Sequence, residues 1–239
     1  MRTMTASANG HEDPADEPAW ALQLAAKVEK TAPPGHTAVC EAAAMAVLRL
    51  LTDPRTQVDG DDCPPTSPTP TWVARWESGR IRKVMRRARG ARWDALAALP
   101  GVTVDHDGAQ VRAFVPGPVT ELPAEVSKLQ VAGLDLTDDA AEPKPAPEPP
   151  YVLIWTNPKA SMSTGKAAAQ CGHAAQLLLW SHSDPSSTVP WPAGDPPVRV
   201  VRPTPAEWAK APATVAVHDA GFTEVAPGTI TAKARLVGA

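Results

Sequence analysis

Proline distribution sets the map of this chain. The 28 prolines amount to about twice the usual share of ~5%. Each fixes φ and removes a backbone donor, so a cluster of them runs neither through a helix interior nor through a central strand. Two clusters stand out: DGDDCPPTSPTPT at residues 59–71 and DDAAEPKPAPEPP at residues 138–150. The first reads as a surface loop. The second is acidic, lacks apolar periodicity and reads as a semi-rigid extended linker. Residues 1–18 hold little apolar material and read as a disordered leader. The chain therefore divides into the leader, a body at 19–137, the linker at 138–150 and a second body at 151–239.

Hydrophobic residues make up 43% of the chain and charged residues 21%, enough apolar surface for a packed core. No apolar run of spanning length and no signal-peptide pattern occurs, so no membrane contact and a reducing cytoplasmic setting are expected. Cys40, Cys63 and Cys171 are too few for a disulfide scaffold, and no CxxC or His spacing suggests a metal. A net charge of −3 confines any nucleic-acid binding to a local patch.

The second body alternates strand and helix. YVLIWT at 151–156 reads as a buried strand, Lys166–Trp180 as a helix and Val198–Arg202 as a strand. Thr204-Pro205 with Glu207 marks a capped helix start. Thr214–Val217 and Ile230–Val237 complete the set of strands, separated by a turn-rich loop at 219–229. The first body repeats this rhythm. Ala19–Lys30 reads as a strand, Cys40–Leu51 as a helix, Thr71–Gly79 as a short helix and Ile81–Arg86 as a strand. Arg92–Leu99 reads as a helix, followed by short strands at 102–104 and 110–115. Each body also has a His-Asp turn, His106-Asp107-Gly108-Ala109 and His218-Asp219-Ala220-Gly221.

Chemistry concentrates where a strand and loop lead into Gly165-Lys166 and a helix. Unpaired amides and the dipole at a helix start, with a lysine on the first turn, make an anion or oxyanion site. It is not a nucleotide-hydrolase phosphate loop, because Ala160 and Ala167 stand where that loop needs glycine and a metal-holding hydroxyl. The loop opened by Asp219 carries Thr223 and Thr229. It is either a plain Asx turn or the opposing half of the site, since ligands in open α/β sheets sit beyond strand ends.

Two blocks, Val152–Trp155 with Met162–Ala174 and Asp219–Thr231, resemble the type 2 peptidyl-tRNA hydrolases, and the resemblance covers residues 151–239. It implies a compact α/β fold with a mixed four-stranded sheet flanked by helices, and hydrolysis of the ester between a peptide and the 3′ adenosine of tRNA. It places the family's lysine on Lys166, its aspartate on Asp219 and its loop threonines on Thr223 and Thr229. Gln170 and His173 match the signature helix, and Gly165 precedes the lysine. No cofactor is implied. In the mechanism expected from these residues, Lys166 and the helix amides stabilise an oxyanion, while Asp219 orients or partly deprotonates water.

Ser163 and Thr164 depart from the family's glycine and basic residue, and the stretch between helix and aspartate is trimmed. The first body reads as a degenerate copy in which Gly35 and Ala42 stand in place of Lys166 and His173, so that a tandem pair forms the family's dimer within one chain. Arg80–Arg92 carries seven basic residues and no acid. Arg82, Lys83, Arg86, Arg87 and Arg89 are its candidate contacts to a tRNA backbone; the other reading is a solvated face. Trp155, Trp180 and Trp208 read as core; Trp72, Trp76 and Trp191 lie in softer regions and are either core, the commoner fate, or surface stacking platforms for bases. Cys171 and His173, two apart on a helix, point to different faces and make no joint site. Two other functions stay open: a non-catalytic tRNA-binding pseudoenzyme, and a hydrolase or transferase acting on another acyl ester.

Overall fold

The computed structural model describes residues 18–57, 72–138, 145–183 and 187–238. The expected leader, the 59–71 loop and Cys63 lie essentially outside these residues, as does the middle of the linker.

In the first half β1 (Trp20–Lys27) runs parallel to β2 (Lys83–Ala88). It is antiparallel to β4 (Ala109–Phe114), which pairs with β3 (Gly101–His106). The two-residue β5 (Gly117–Pro118) adds to β1. In the second half β6 (Tyr151–Thr156) is parallel to β7 (Val198–Val201) and antiparallel to β9 (Ile230–Val237), which pairs with β8 (Val215–His218). The orders β2-β1-β4-β3 and β7-β6-β9-β8 are the same arrangement twice. Each parallel step is a strand–helix–strand crossover, through α1 (His36–Thr52) and α5 (Thr164–Ser183).

Both long helices are buried on nearly all sides, the pattern of a helix with no solvent face. α1 packs on β3 and β4 of its own sheet and on β7 of the other. α5 packs on β8 and β9 and on β2 of the first sheet. The two helices touch along their alanine-rich sides, so one apolar cluster runs from Leu22 and Val111 through Ala43, Val47, Ala174 and Leu178 to Ile154 and Ala234. Gly172 marks the close approach. A Cβ there would lie 3.0 Å from Val47 Cγ2 and 3.5 Å from Lys83 Cδ.

Shorter helices cover the outer faces. The expected helix at Arg92–Leu99 is one α-turn, α3 (Ala91–Asp94), followed by a 3₁₀ turn at Ala95–Ala98. Pro100 stops it, because a proline disfavours helical backbone in the residue before it. With α4 (Ala124–Ser127), these turns pack Leu96 and Val126 on Phe114 and Ala88. In α6 (Pro205–Lys210), Thr204 and Glu207 form the capping box read from sequence.

Of the tryptophans, Trp76 resolves an open alternative and Trp208 departs from expectation. Trp76, in α2 (Trp72–Ser78), is wholly buried and donates its indole N–H to Arg82 O at 3.2 Å. It is a core residue, not a stacking platform. Trp208 is half-buried on the outer face under the Lys233 ammonium, 4.5 Å from its ring centroid. No helix among the described residues is long and apolar enough to cross a membrane.

A valine at position 172 would force two more methyls against Val47. Overpacking of this kind costs about 1–3 kcal/mol. Gly172→Val should lower the unfolding free energy by that much, read as a lower urea midpoint at unchanged m. Both halves should still unfold in one transition, followed by far-UV dichroism and tryptophan fluorescence. Separate transitions would show that the halves do not share a core.

Candidate functional site

The position of Lys166 is set by the start of α5. Ser163 Oγ accepts from Lys166 N at 3.2 Å, capping the first turn. The Glu224 carboxylate in turn takes Ser163 N and Ser163 Oγ–H, each at 2.7 Å. Thr164 is fully buried, and its hydroxyl oxygen accepts from Leu136 N at 2.8 Å and meets His36 Nδ1 at 2.9 Å. Gly165 N donates to Leu134 O at 3.1 Å and Ala167 N to Ser163 O at 2.9 Å. The amides of Gly165, Lys166 and Ala167 are thus occupied. The expectation that helix amides supply oxyanion donors is corrected for these three, and of the donors expected at this helix start the Lys166 ammonium remains.

The opposing wall is the loop between β8 and β9. Asp219 anchors its base through Asp219 N to Thr229 O at 2.9 Å and Gly228 N to Asp219 O at 2.8 Å. Gly221 N donates to Asp219 Oδ1 at 2.8 Å, an Asx turn. Gly221 sits at φ +79°, and a Cβ there would lie 2.4 Å from Pro227 Cγ, so only glycine fits the turn. In the first half β3 and β4 join instead through a two-residue Asp107-Gly108 turn with φ 52° and 78°. No comparable loop exists there.

The two walls meet at one cluster. Lys166 Nζ donates to Asp219 Oδ2 at 2.5 Å and to Thr223 Oγ1 at 2.8 Å. Gln170 Nε2 donates to the same Asp219 oxygen at 2.7 Å, and Gln170 Oε1 accepts from the buried Thr231 hydroxyl at 2.7 Å. Asp219 is 8% exposed, and three donors hold its carboxylate. Its first work is to fix the Lys166 ammonium.

This cluster borders a cavity of about 840 Å³ whose far wall belongs to the first half. Lys166, Gln170 and His173 line it along one stripe of α5, the i, i+4, i+7 spacing of a helix face. Arg80, Ile81, Arg82, Lys83, Val84 and Met85 face them. Phe222 stands at the rim, 73% exposed, with the Arg80 guanidinium 6.0 Å from its ring centroid.

Of the residues singled out from sequence, Lys166, Asp219, Thr223, Gly165, Gln170, His173, Arg82 and Lys83 gather here. Four do not. Thr229 Oγ1–H is spent on Ala226 O at 2.7 Å, so this hydroxyl closes the loop. Arg86 is buried on the inner side, donating to Gln23 Oε1 at 2.9 Å and Leu129 O at 3.0 Å. Arg87 forks onto Gln130 Oε1 at 3.0 and 2.6 Å. Arg89 is exposed past the end of β2. The strand's alternation splits the basic run, so it is not one continuous phosphate track. Sequence reasoning passed over Glu224, Thr231 and Phe222, although all three stand in the Asp219–Thr231 block.

Two groups carry shifted proton affinities. Burial, with the Lys83 and Lys166 charges beside it, holds His173 well below the usual imidazole range, so it is neutral at pH 7. Its Nε2 is buried with no hydrogen-bond partner among the described residues. Burial pulls Lys83 down to about 7, with Glu77 opposing that shift. Among the described residues no three metal-ligating side chains lie together. No protein-family model, curated protein or solved structure matches the chain.

The lowered Lys83 affinity fixes a sign. Between pH 7 and its unperturbed 10.5 the unfolded chain binds the proton that the folded chain has released, so stability rises with pH across that window. Lys83→Met should flatten the rise in urea midpoint from pH 7 to pH 9.5. An unchanged slope in the variant would assign the effect to another group.

Proposed function

We propose that the protein is an acyl-ester hydrolase of the type 2 peptidyl-tRNA hydrolase kind, acting on the ester between a peptide or N-blocked amino acid and tRNA. One observation carries the reading. The Lys166 ammonium is held by Asp219 and Thr223 at the edge of a cavity whose opposite wall bears Arg80, Arg82 and Lys83. The arrangement suits a neutral ester attached to a polyanion: one fixed cation at the reacting carbonyl, and further cations where phosphates lie.

Water adds to the ester carbonyl, and the oxygen that gains charge accepts from Lys166 Nζ. Fixed donors aimed at developing charge are the largest single electrostatic contribution in such sites. The attacking water gives up a proton as it adds; the tetrahedral centre then expels the ribose oxygen, which takes up that proton as the acid is released. Asp219 and Gln170 act by holding Lys166 in place, and the Thr223 hydroxyl, next to the ammonium, can hold the water. No covalent nucleophile is needed.

The same reading treats the halves as two copies of one domain forming a pseudo-dimer within the chain, the first without hydrolytic residues. Supporting it are the repeated strand order and the matched helices packed on each other. The occupied Asp219 carboxylate and α5 amides favour a second reading, a tRNA-binding protein without turnover.

The deciding assay is release of labelled N-acetyl-aminoacyl groups from tRNA. Intact protein should hydrolyse the ester. Lys166→Ala should lose about 10²–10³-fold in kcat, the range for removing one oxyanion donor. Asp219→Asn should lose a comparable factor by loosening the ammonium. Retained tRNA binding with no release by the intact protein would select the second reading.

A further inference from the structure

The cavity does not end at Lys166. His173 lies two helical turns further along α5, about 10 Å at 1.5 Å per residue, and β2 presents Lys83 beside it. Lys83 is half-buried, its ammonium 4.8 Å from the Trp76 ring centroid and donating to Gln176 Oε1. Glu77 lies nearby, but its Oε1 already accepts from Gln176 Nε2 at 3.0 Å and Trp180 Nε1 at 2.9 Å. Lys83 therefore faces the cavity with an amide partner and, among the described residues, no carboxylate bonded to it.

The opposite side of the helix pair shows what is missing. The thiols of Cys40 and Cys171 meet across the α1–α5 contact, which makes the next residues, Glu41 and Gly172, counterparts. Glu41 is buried and seals its side. Its carboxylate takes Val200 N from edge strand β7 at 2.9 Å, meets His106 Nε2 at 2.8 Å and lies 3.5 Å from Arg199 Nη1. On the α5 side the acid is replaced by Gly172, packed on the Lys83 stem. The result is an open cavity with an under-neutralised ammonium and a buried His173 Nε2 that lacks a partner among the described residues.

We infer that Lys83 and His173 form an anion subsite at the inner end of this cavity, which takes a phosphate of the single-stranded RNA end whose terminal ester is presented to Lys166. The inference rests on the hydrolase reading above. Phosphate fits better than a carboxylate because the acyl group has no free carboxylate at its ester, whereas a phosphodiester lies within a nucleotide's length of it. Arg80 and Arg82 on the same segment continue the positive lining toward the mouth, as a polyanionic strand requires. His173 supplies a hydrogen bond that no described residue already uses.

The test uses the full chain and the trinucleotide cytidylyl-cytidylyl-adenosine at pH 6, where Lys83 holds its proton, with affinity measured by calorimetry across a salt series and ¹⁵N shifts of the His173 ring followed on titration. The trinucleotide should shift the His173 signal. Lys83→Gln should weaken binding about tenfold and flatten the log-affinity against log-salt slope by about 0.7, one single-strand phosphate. Lys83→Arg should keep most of the slope. Wild-type-like affinity and slope in Lys83→Gln, with ester hydrolysis intact in the unmodified protein, would overturn the inference alone. A wild-type chain that neither binds the trinucleotide nor releases acyl groups would overturn the hydrolase reading with it. N-formylmethionine shifting His173 where the trinucleotide does not would assign the subsite to the acyl side and refute the phosphate assignment. Should Lys83→Gln lose its native near-ultraviolet dichroism, the wild-type His173 shift decides by itself, and its absence refutes the proposal.

Discussion

Everything in this molecule hangs on the contact between α1 and α5. A sheet with one covered face needs something apolar to cover it, and each sheet here finds it in a helix that belongs half to the other. Small side chains make this possible. Ala43, Ala174 and Gly172 let the two backbones approach closely enough that Val47 and Leu178 still reach the sheets on either side. Dense packing of this kind tolerates little change in volume.

That contact also builds the cavity. β2 of the first half lies against α5 of the second, which brings Arg82 and Lys83 opposite Lys166, although more than eighty residues separate them in sequence. The halves are equal in scaffold and unequal in loops. A tight Asp-Gly turn ends one hairpin, while the other opens into the segment that holds Asp219, Thr223 and Glu224. Glu41 fills one side of the helix pair and Gly172 leaves the other side open. The division places the Lys166–Asp219 pair in one half and most of the positive wall in the other.

Periodicity and turn chemistry made most elements legible. The apolar run at 151–156 and the capping box at Thr204 match the strand and helix observed. The Lys166–Asp219 pairing could be anticipated, because a helix start and a strand-end loop were both marked by residue type. Three features could not. Trp76 stands open between core and surface in sequence, because its neighbours are polar and proline-rich; its indole N–H finds Arg82 O, which lets the whole side chain be buried. Arg86 looked like a phosphate contact in a basic run, but strand alternation turns it inward to Gln23. The role of Lys83 depends on what α5 lacks at position 172, and an absence in one half is invisible until the other half is laid against it.

The interlocked helices have a consequence for synthesis. During translation α1 emerges well before either of its partners across the interface. Its second covering, α5 and then β7, exists only once residues up to Val201 have been made. Until then the nascent first half carries an apolar helix face with nothing on it, the kind of surface that draws chaperones and promotes aggregation. Completion of the fold is thereby tied to completion of the second half. A chain stalled between the two would be left with the positive wall and no ammonium for it to face.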